Sequence, residues 1–209
     1  MKRMKSDGAV RYRVIVLPGG KLPIRARSND VGYDIPTRAI VSLDPDPRNP
    51  RMRTTLFDFD ERPTNKRIKK RVKGDEFILR RGETVFLGTG VVLKIPPGVA
   101  AYVEPRGFAK RKGLRVINSD HPIDPGFRGE PVIEIKLTKR GKKKFRIGRF
   151  QRLAQFVFKE VKLPEFEVVS SLPDTVRGNG SHGSTGVDTP EANSEPARSK
   201  NSRGSTGGT

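Results

Sequence analysis

Apolar residues in this chain fall into short β-branched and aromatic runs rather than at helical spacing. Such runs occupy Tyr12–Leu17, Ile40–Leu43, Phe77–Arg80, Thr84–Leu87, Gly90–Ile95, Ala100–Glu104, Val132–Leu137 and Leu153–Phe158. Several alternate apolar with polar, as in Val132-Ile133-Glu134-Ile135-Lys136-Leu137, the period of two expected of a half-buried strand. Pro18-Gly19-Gly20, Arg81-Gly82 and Pro96-Pro97-Gly98 supply the turns between them. Many short strands at near-regular spacing predict an all-β sandwich or barrel. A turn or two around Ala109–Lys112 is the only helical candidate.

Two segments break this pattern. Residues 44–74 are rich in Pro, Asp, Arg and Lys and end in Lys66-Arg67-Ile68-Lys69-Lys70-Arg71-Val72-Lys73, which reads as a long inserted loop. From Pro173 onward apolar residues nearly vanish and Gly, Ser, Thr and Asn dominate, as in a mobile arm or tail. The expected organisation is a basic extension at 1–10 and a β domain at 11–172 carrying the insertion at 44–74. A glycine-rich arm at 173–187 and a disordered tail at 188–209 complete it.

Composition adds constraints. Apolar residues are only 33% of the 209, which points to disordered segments or to cores completed by partner subunits. The absence of cysteine excludes disulfides, thiolate-held zinc and a cysteine nucleophile. No apolar run approaches the ~18 residues that span a bilayer. The basic start Met1-Lys2-Arg3-Met4-Lys5 leads into Ser6-Asp7-Gly8 rather than an apolar stretch, so a soluble intracellular protein with no membrane contact is expected. The formal charge is +20, concentrated in Arg62–Lys73 and Lys139–Arg152, and attracts polyanions, whether nucleic acid or nucleoside triphosphate.

Five segments carry candidate chemistry. Gly32-Tyr33-Asp34 follows the strand-like Lys21–Ala26. Arg106-Gly107-Phe108-Ala109 sets a guanidinium beside flexible backbone, suited to phosphate oxygens. Asn118–Glu130 reads as a tight hairpin with the carboxylate of Asp124 and the ring of Phe127. Gly148–Gln155 enters the last clear strand. Arg177–Gly186 is a glycine-rich, hydroxyl-bearing loop with one aromatic, His182, although Gly-Ser-Thr-Gly recurs at 204–207 and is partly a product of composition. Taken singly each has a bland reading. Asp124, before Pro125-Gly126, is a turn former.

In their order and spacing the five segments resemble the five motifs of the trimeric dUTPases, over roughly residues 11–187. The resemblance implies a distorted jelly-roll β-sandwich, a homotrimer with shared active sites, and Mg2+-dependent hydrolysis of dUTP to dUMP and pyrophosphate. It implies that Asp124 activates the attacking water and that Asn118, Pro122, Ile123 and Val132 line a uracil pocket with backbone pairing. Phe127 would pack on the deoxyribose and exclude a ribose hydroxyl. Arg106, Gly107, Arg152 and Gln155 would hold the triphosphate. Arg177, Ser184 and Thr185 would grip the outer phosphates from a neighbouring subunit, with His182 stacked on uracil. Asp34 would stand near the water shell of the magnesium. The chemistry is consistent with this: phosphoanhydride hydrolysis needs an activated water and neutralised charge, and magnesium keeps several waters without a protein cage.

The sequence departs from the family in places. No serine stands between Arg106 and Gly107, and Phe127 replaces a tyrosine. Asp124-Pro125-Gly126-Phe127 followed by Glu134 also resembles the related dCTP deaminases, in which a glutamate at that spacing is the base. A deaminase or bifunctional enzyme using Glu134 is therefore an alternative, against a solvent-facing Glu134 between inward Ile133 and Ile135. A third reading is a non-catalytic regulatory relative, or a basic module binding nucleic acid weakly and without sequence preference through Lys66–Lys73.

Overall fold

The computed structural model describes residues 12–63, 65–175 and 178. In chain order the first elements are β1 (Arg13–Val16), β2 (Tyr33–Pro36), β3 (Ala39–Asp46), β4 (Asn49–Asp58) and a one-turn helix α1 (Lys66–Lys69). There follow β5 (Val72–Lys73), β6 (Glu76–Arg80), β7 (Thr84–Gly88), β8 (Val91–Lys94) and β9 (Val99–Pro105). A short helix α2 (Gly107–Arg111) leads to β10 (Leu114–Val116), β11 (Val132–Leu137), β12 (Lys144–Ile147) and β13 (Arg152–Glu160). The body formed by these elements ends at Pro164, and the chain from Glu165 is a separate unit. Within that second unit residues 165–175 have no regular structure and leave Phe166 and Val168 exposed. Among the described residues no helix is long and apolar enough to cross a membrane.

The strands make antiparallel sheets in the orders β10-β11-β7-β3-β4, β2-β13-β9, β12-β6-β5 and β1-β8. The period-two pattern works as expected in β11, where Ile133, Ile135 and Leu137 are fully buried and Val132, Glu134 and Lys136 are half-buried. These residues share a core with Ile35, Leu79, Leu87, Ile147, Leu153 and Phe156. Each such side chain contributes about 1.5–3 kcal/mol of hydrophobic stabilisation.

The region 44–74 departs from the loop expected there. It holds the end of β3, all of β4, α1 and β5, joined by short turns and, among the described residues, by 59–63 and 65 without regular structure. β4 lies at the edge of the five-stranded sheet, where a strand needs no apolar alternation and Pro50 costs no ladder bond. α1 begins at Asn65, whose side-chain oxygen accepts from the amides of Arg67 at 2.8 Å and Ile68 at 3.4 Å. Lys21–Ala26, strand-like in sequence, makes only the single bridge Ile24–Asp34 and leaves Leu22 and Ile24 exposed. Pro23 lacks the amide a longer ladder would need.

Candidate functional site

The connection from β10 to β11 is a long looped excursion rather than the tight hairpin expected, and it is fastened at three points. First, the Asn118 amide donates to the Val132 carbonyl at 2.9 Å and its oxygen accepts from the Glu134 amide at 3.0 Å. Second, Ile123 pairs with Ala101 of β9, giving one amide bond of 2.7 Å and taking one of 3.2 Å. Third, Glu130 is completely buried. Its carboxylate accepts from Arg38 Nε at 3.0 Å and Nη2 at 3.1 Å, and from the amides of Gly90 at 2.8 Å and Arg53 at 2.9 Å. The Glu130 amide in turn donates to the Arg51 carbonyl at 2.7 Å. Asp124 follows the second fastening directly and is exposed at the start of a turn closed by the Phe127 amide, 3.1 Å from the Asp124 carbonyl.

This loop walls a cavity of about 220 Å³. Of the residues expected at a nucleotide site, Asn118, Pro122, Ile123, Asp124, Phe127 and Val132 all line it. The Phe127 ring lies over Gly129, where a Cβ would meet it at 2.8 Å. Two of these residues also hold the loop in place. The Asn118 side chain is engaged at both ends in clamping β11, and the Ile123 amide and carbonyl are both committed to Ala101. The Ile123 amide is therefore taken, while its carbonyl keeps one lone pair.

Sequence reasoning missed Arg53, Val103, His121 and Pro131, which also line the cavity. Arg53 comes from β4, inside the supposed insertion. Its Nε donates to the Glu130 carbonyl at 3.3 Å and its Nη1 to the Leu43 carbonyl, so the hairpin β3–β4 braces the Asp124 loop. Its one-dimensional signature was a cation among many.

A second cluster forms around the sheet β2-β13-β9. The register sets Asp34 opposite Gln155, and Gln155 opposite Glu104, while Arg106 follows β9 and opens α2. Asp34 is 5% exposed, with Oδ1 at 2.6 Å from Arg106 Nε and Oδ2 at 3.3 Å from Arg152 Nη1. Arg106 Nη1 donates to the Arg152 carbonyl at 2.9 Å. The guanidinium side chains stay 28% and 40% exposed, so the anion is hidden and the cations face outward. Asp34, Arg106, Gly107 and Gln155 line a cleft of about 340 Å³, and Gln155 packs so closely on Gly32 that a Cβ there would come within 2.0 Å of its oxygen. Gly107 is the first residue of α2 rather than part of a flexible loop.

The two groups of residues line separate cavities. Glu134 lines neither, standing half-buried between buried Ile133 and Ile135. Arg177, His182, Ser184 and Thr185 lie outside the described residues. Asp34 Oδ1 is held by Arg106, whereas Oδ2 is buried without a hydrogen bond although 3.3 Å from Arg152 Nη1, and among the described residues no three His, Asp or Glu side chains gather as metal ligands. The unpartnered Oδ2 is compatible with the expected place of Asp34 near the water shell of a magnesium ion.

The family model for dUTPase matches residues 72–186. That span includes the Asp124 loop, Arg106, Arg152 and Gln155, and begins after Asp34 and the β3–β4 hairpin. The deoxyuridine 5'-triphosphate nucleotidohydrolase of Clostridium acetobutylicum is 38% identical over 114 residues, 54% of this chain and 77% of that protein. That of Streptomyces avermitilis is 43% identical over 110 residues, 52% of this chain and 62% of that protein. Among solved structures, a Staphylococcus bacteriophage 80alpha dUTPase mutant with dUpNHpp aligns at TM-score 0.60 and 21% identity, over 86% of this chain and all of that one. The dUTPase of phage phi11 of S. aureus aligns at TM-score 0.55 and 18% identity, over 79% of this chain and all of that one. At those identities the structural likeness speaks for the fold. The family model and the sequence relatives carry the assignment: the chain belongs to the dUTPase family of dUTP-hydrolysing enzymes.

Proposed function

We propose that this chain cleaves the α–β phosphoanhydride of dUTP, with Asp124 taking a proton from the attacking water and pyrophosphate leaving. The observation that carries this reading is the fastened loop, which sets the Asp124 carboxylate beside Phe127 in a cavity of nucleoside size. Preorganised geometry of that kind turns binding into rate. With the Ile123 amide committed to Ala101, uracil pairing falls to the remaining backbone between Asn118 and Ile123. Phe127 supports the deoxyribose. Arg106, Arg152, Gln155 and the amide of Gly107 are suited to the triphosphate, because Asp34 hides its charge while holding the guanidinium groups outward.

A homotrimer fits the separation of the Asp124 cavity from the Arg106 cleft, since subunits could bring one to the other. An apolar groove lined by Tyr12, Leu22, Tyr33 and Phe158 offers contact surface. The glycine-rich arm at 173–187 would then close over the nucleotide with Arg177, His182, Ser184 and Thr185. Magnesium, when bound, would neutralise phosphate charge from a shell of phosphate oxygens and water.

The test is incubation with dUTP or dCTP plus magnesium, with products resolved by ion-exchange chromatography. dUMP and pyrophosphate are expected from dUTP, and dCTP is expected to remain intact. Asp124→Asn should abolish turnover while retaining nucleotide binding, and near-normal turnover would refute its role. Light scattering should give the mass of three 23.3 kDa chains.

A further inference from the structure

The two basic runs of the sequence, near 66–73 and 139–144, are far apart in the chain and meet in the fold. They flank the same three-stranded sheet, in which β6 pairs with β12 on one side and β5 on the other. Lys144 lies opposite Arg80, so the turn 138–143 sits at the Arg80 end of β6. The Ile78 amide donates to the Arg71 carbonyl at 2.6 Å, so the chain before Arg71, including α1, runs back toward that same end. Arg71 is tied there to Glu83.

A third basic segment joins them. The end of α2 abuts the β11–β12 turn: the Thr138 amide donates to the Gly113 carbonyl at 2.9 Å, and a Cβ on Gly113 would meet Gly141 at 2.4 Å. Arg81 fastens the β6–β7 turn to the same place, its amide donating to the Lys143 carbonyl at 3.0 Å and its Nη2 to the Gly141 carbonyl at 3.0 Å. All Lys and Arg residues of Arg80–Arg81, Lys110–Lys112 and Lys139–Lys144 are exposed. The one acid in these turns, Glu83, is committed to Arg71.

Gathering this much like charge costs self-repulsion that a folded domain gains nothing from by itself. Between the turns lies a cleft of about 350 Å³, lined by Lys110, Arg115 and Arg140 with Ser119 and Thr138. It sets three cations and the Ser119 hydroxyl around a floor of Pro105, Leu114 and Val116, while the Thr138 hydroxyl donates to the Gly113 carbonyl at 2.8 Å. A single nucleotide would occupy that cleft and leave the remaining cations unmatched, whereas a polymer of phosphates matches the whole platform. None of the cations of this cleft or of the turns is assigned to dUTP.

We infer that these three turns, with α1 beside them, form a docking surface for the phosphodiester backbone of nucleic acid, separate from the nucleotide site. Contact is through phosphates and independent of base sequence. The inference does not rest on the dUTPase reading.

The test is fluorescence anisotropy with a duplex DNA probe and the full chain, over about 50 to 200 mM salt. Binding should weaken steeply with salt, the logarithmic slope falling by about 0.9 for each phosphate neutralised. The variant Lys139→Glu/Arg140→Glu/Lys142→Glu/Lys143→Glu should lose at least tenfold in affinity and flatten the slope, with dUTP turnover unchanged as the control for folding. The variant Lys66→Glu/Arg67→Glu/Lys69→Glu should weaken binding less. No binding at low salt overturns the inference. So does undiminished binding by the first variant, or equal competition by polyglutamate of matched charge, which would indicate an acidic protein partner.

Discussion

Two carboxylate–arginine assemblies in this molecule use the same chemistry to opposite ends. In one, Arg38 and Glu130 are 1% and 0% exposed, and the carboxylate also takes two backbone amides. In the other, Asp34 is buried but both of its arginines reach solvent. The sealed assembly is closed to solvent and so to any ligand, and acts as a fastening for the Asp124 loop. The open one holds two guanidinium groups at a fixed distance while leaving donors for an anion. Burial of the cation, rather than the presence of an ion pair, separates the scaffold from the proposed binding site.

The largest effect should come from breaking the sealed pair. Glu130→Ala strands Arg38 and two amides, and should cost about 3–5 kcal/mol in urea denaturation. The double replacement Arg38→Met/Glu130→Leu removes both charges and should recover part of that loss. Recovery stays incomplete because the amides of Gly90 and Arg53 still lack an acceptor, at about 1–3 kcal/mol each. Full recovery would show that the pair, rather than its backbone bonds, does the fastening.

The open cluster should respond in activity more than in stability. Arg106→Ala should lower kcat/KM for dUTP about 10- to 100-fold, the loss of a charged hydrogen bond worth about 1.5–3 kcal/mol. Its unfolding free energy should fall by less than that of Glu130→Ala, since Arg152 still faces Asp34. Equal destabilisation by the two variants would erase the distinction drawn between them. The smallest effect should come from salt. At about 1 M the Debye length is near 3 Å, so nucleotide affinity should weaken several-fold while the contribution of Arg38–Glu130 stays unchanged.

The sequence made the open cluster easier to find than the sealed one. Strand periodicity located β11 and β13, and ordered motifs located Asp124, Phe127, Arg106 and Gln155, because those signals are local. Arg38 and Glu130 stand 92 positions apart, and Arg53 and Glu130 77 apart, with nothing in spacing or composition to join them. β4 escaped notice because an edge strand with solvent on its flank carries no alternating pattern. Glu134 was ambiguous in sequence, since alternation gives its place on the strand but not which neighbours share its face.

The three fastenings of the Asp124 loop also set how its length can vary. Between Asn118 and Ile123, and again between Phe127 and Glu130, added residues would be taken up as slack, because the pins on either side stay put. Between Ile123 and Asp124 there is no such interval. One inserted residue there would turn the carboxylate away from the cavity while every strand kept its partner, yielding a folded protein deprived of the base proposed for it.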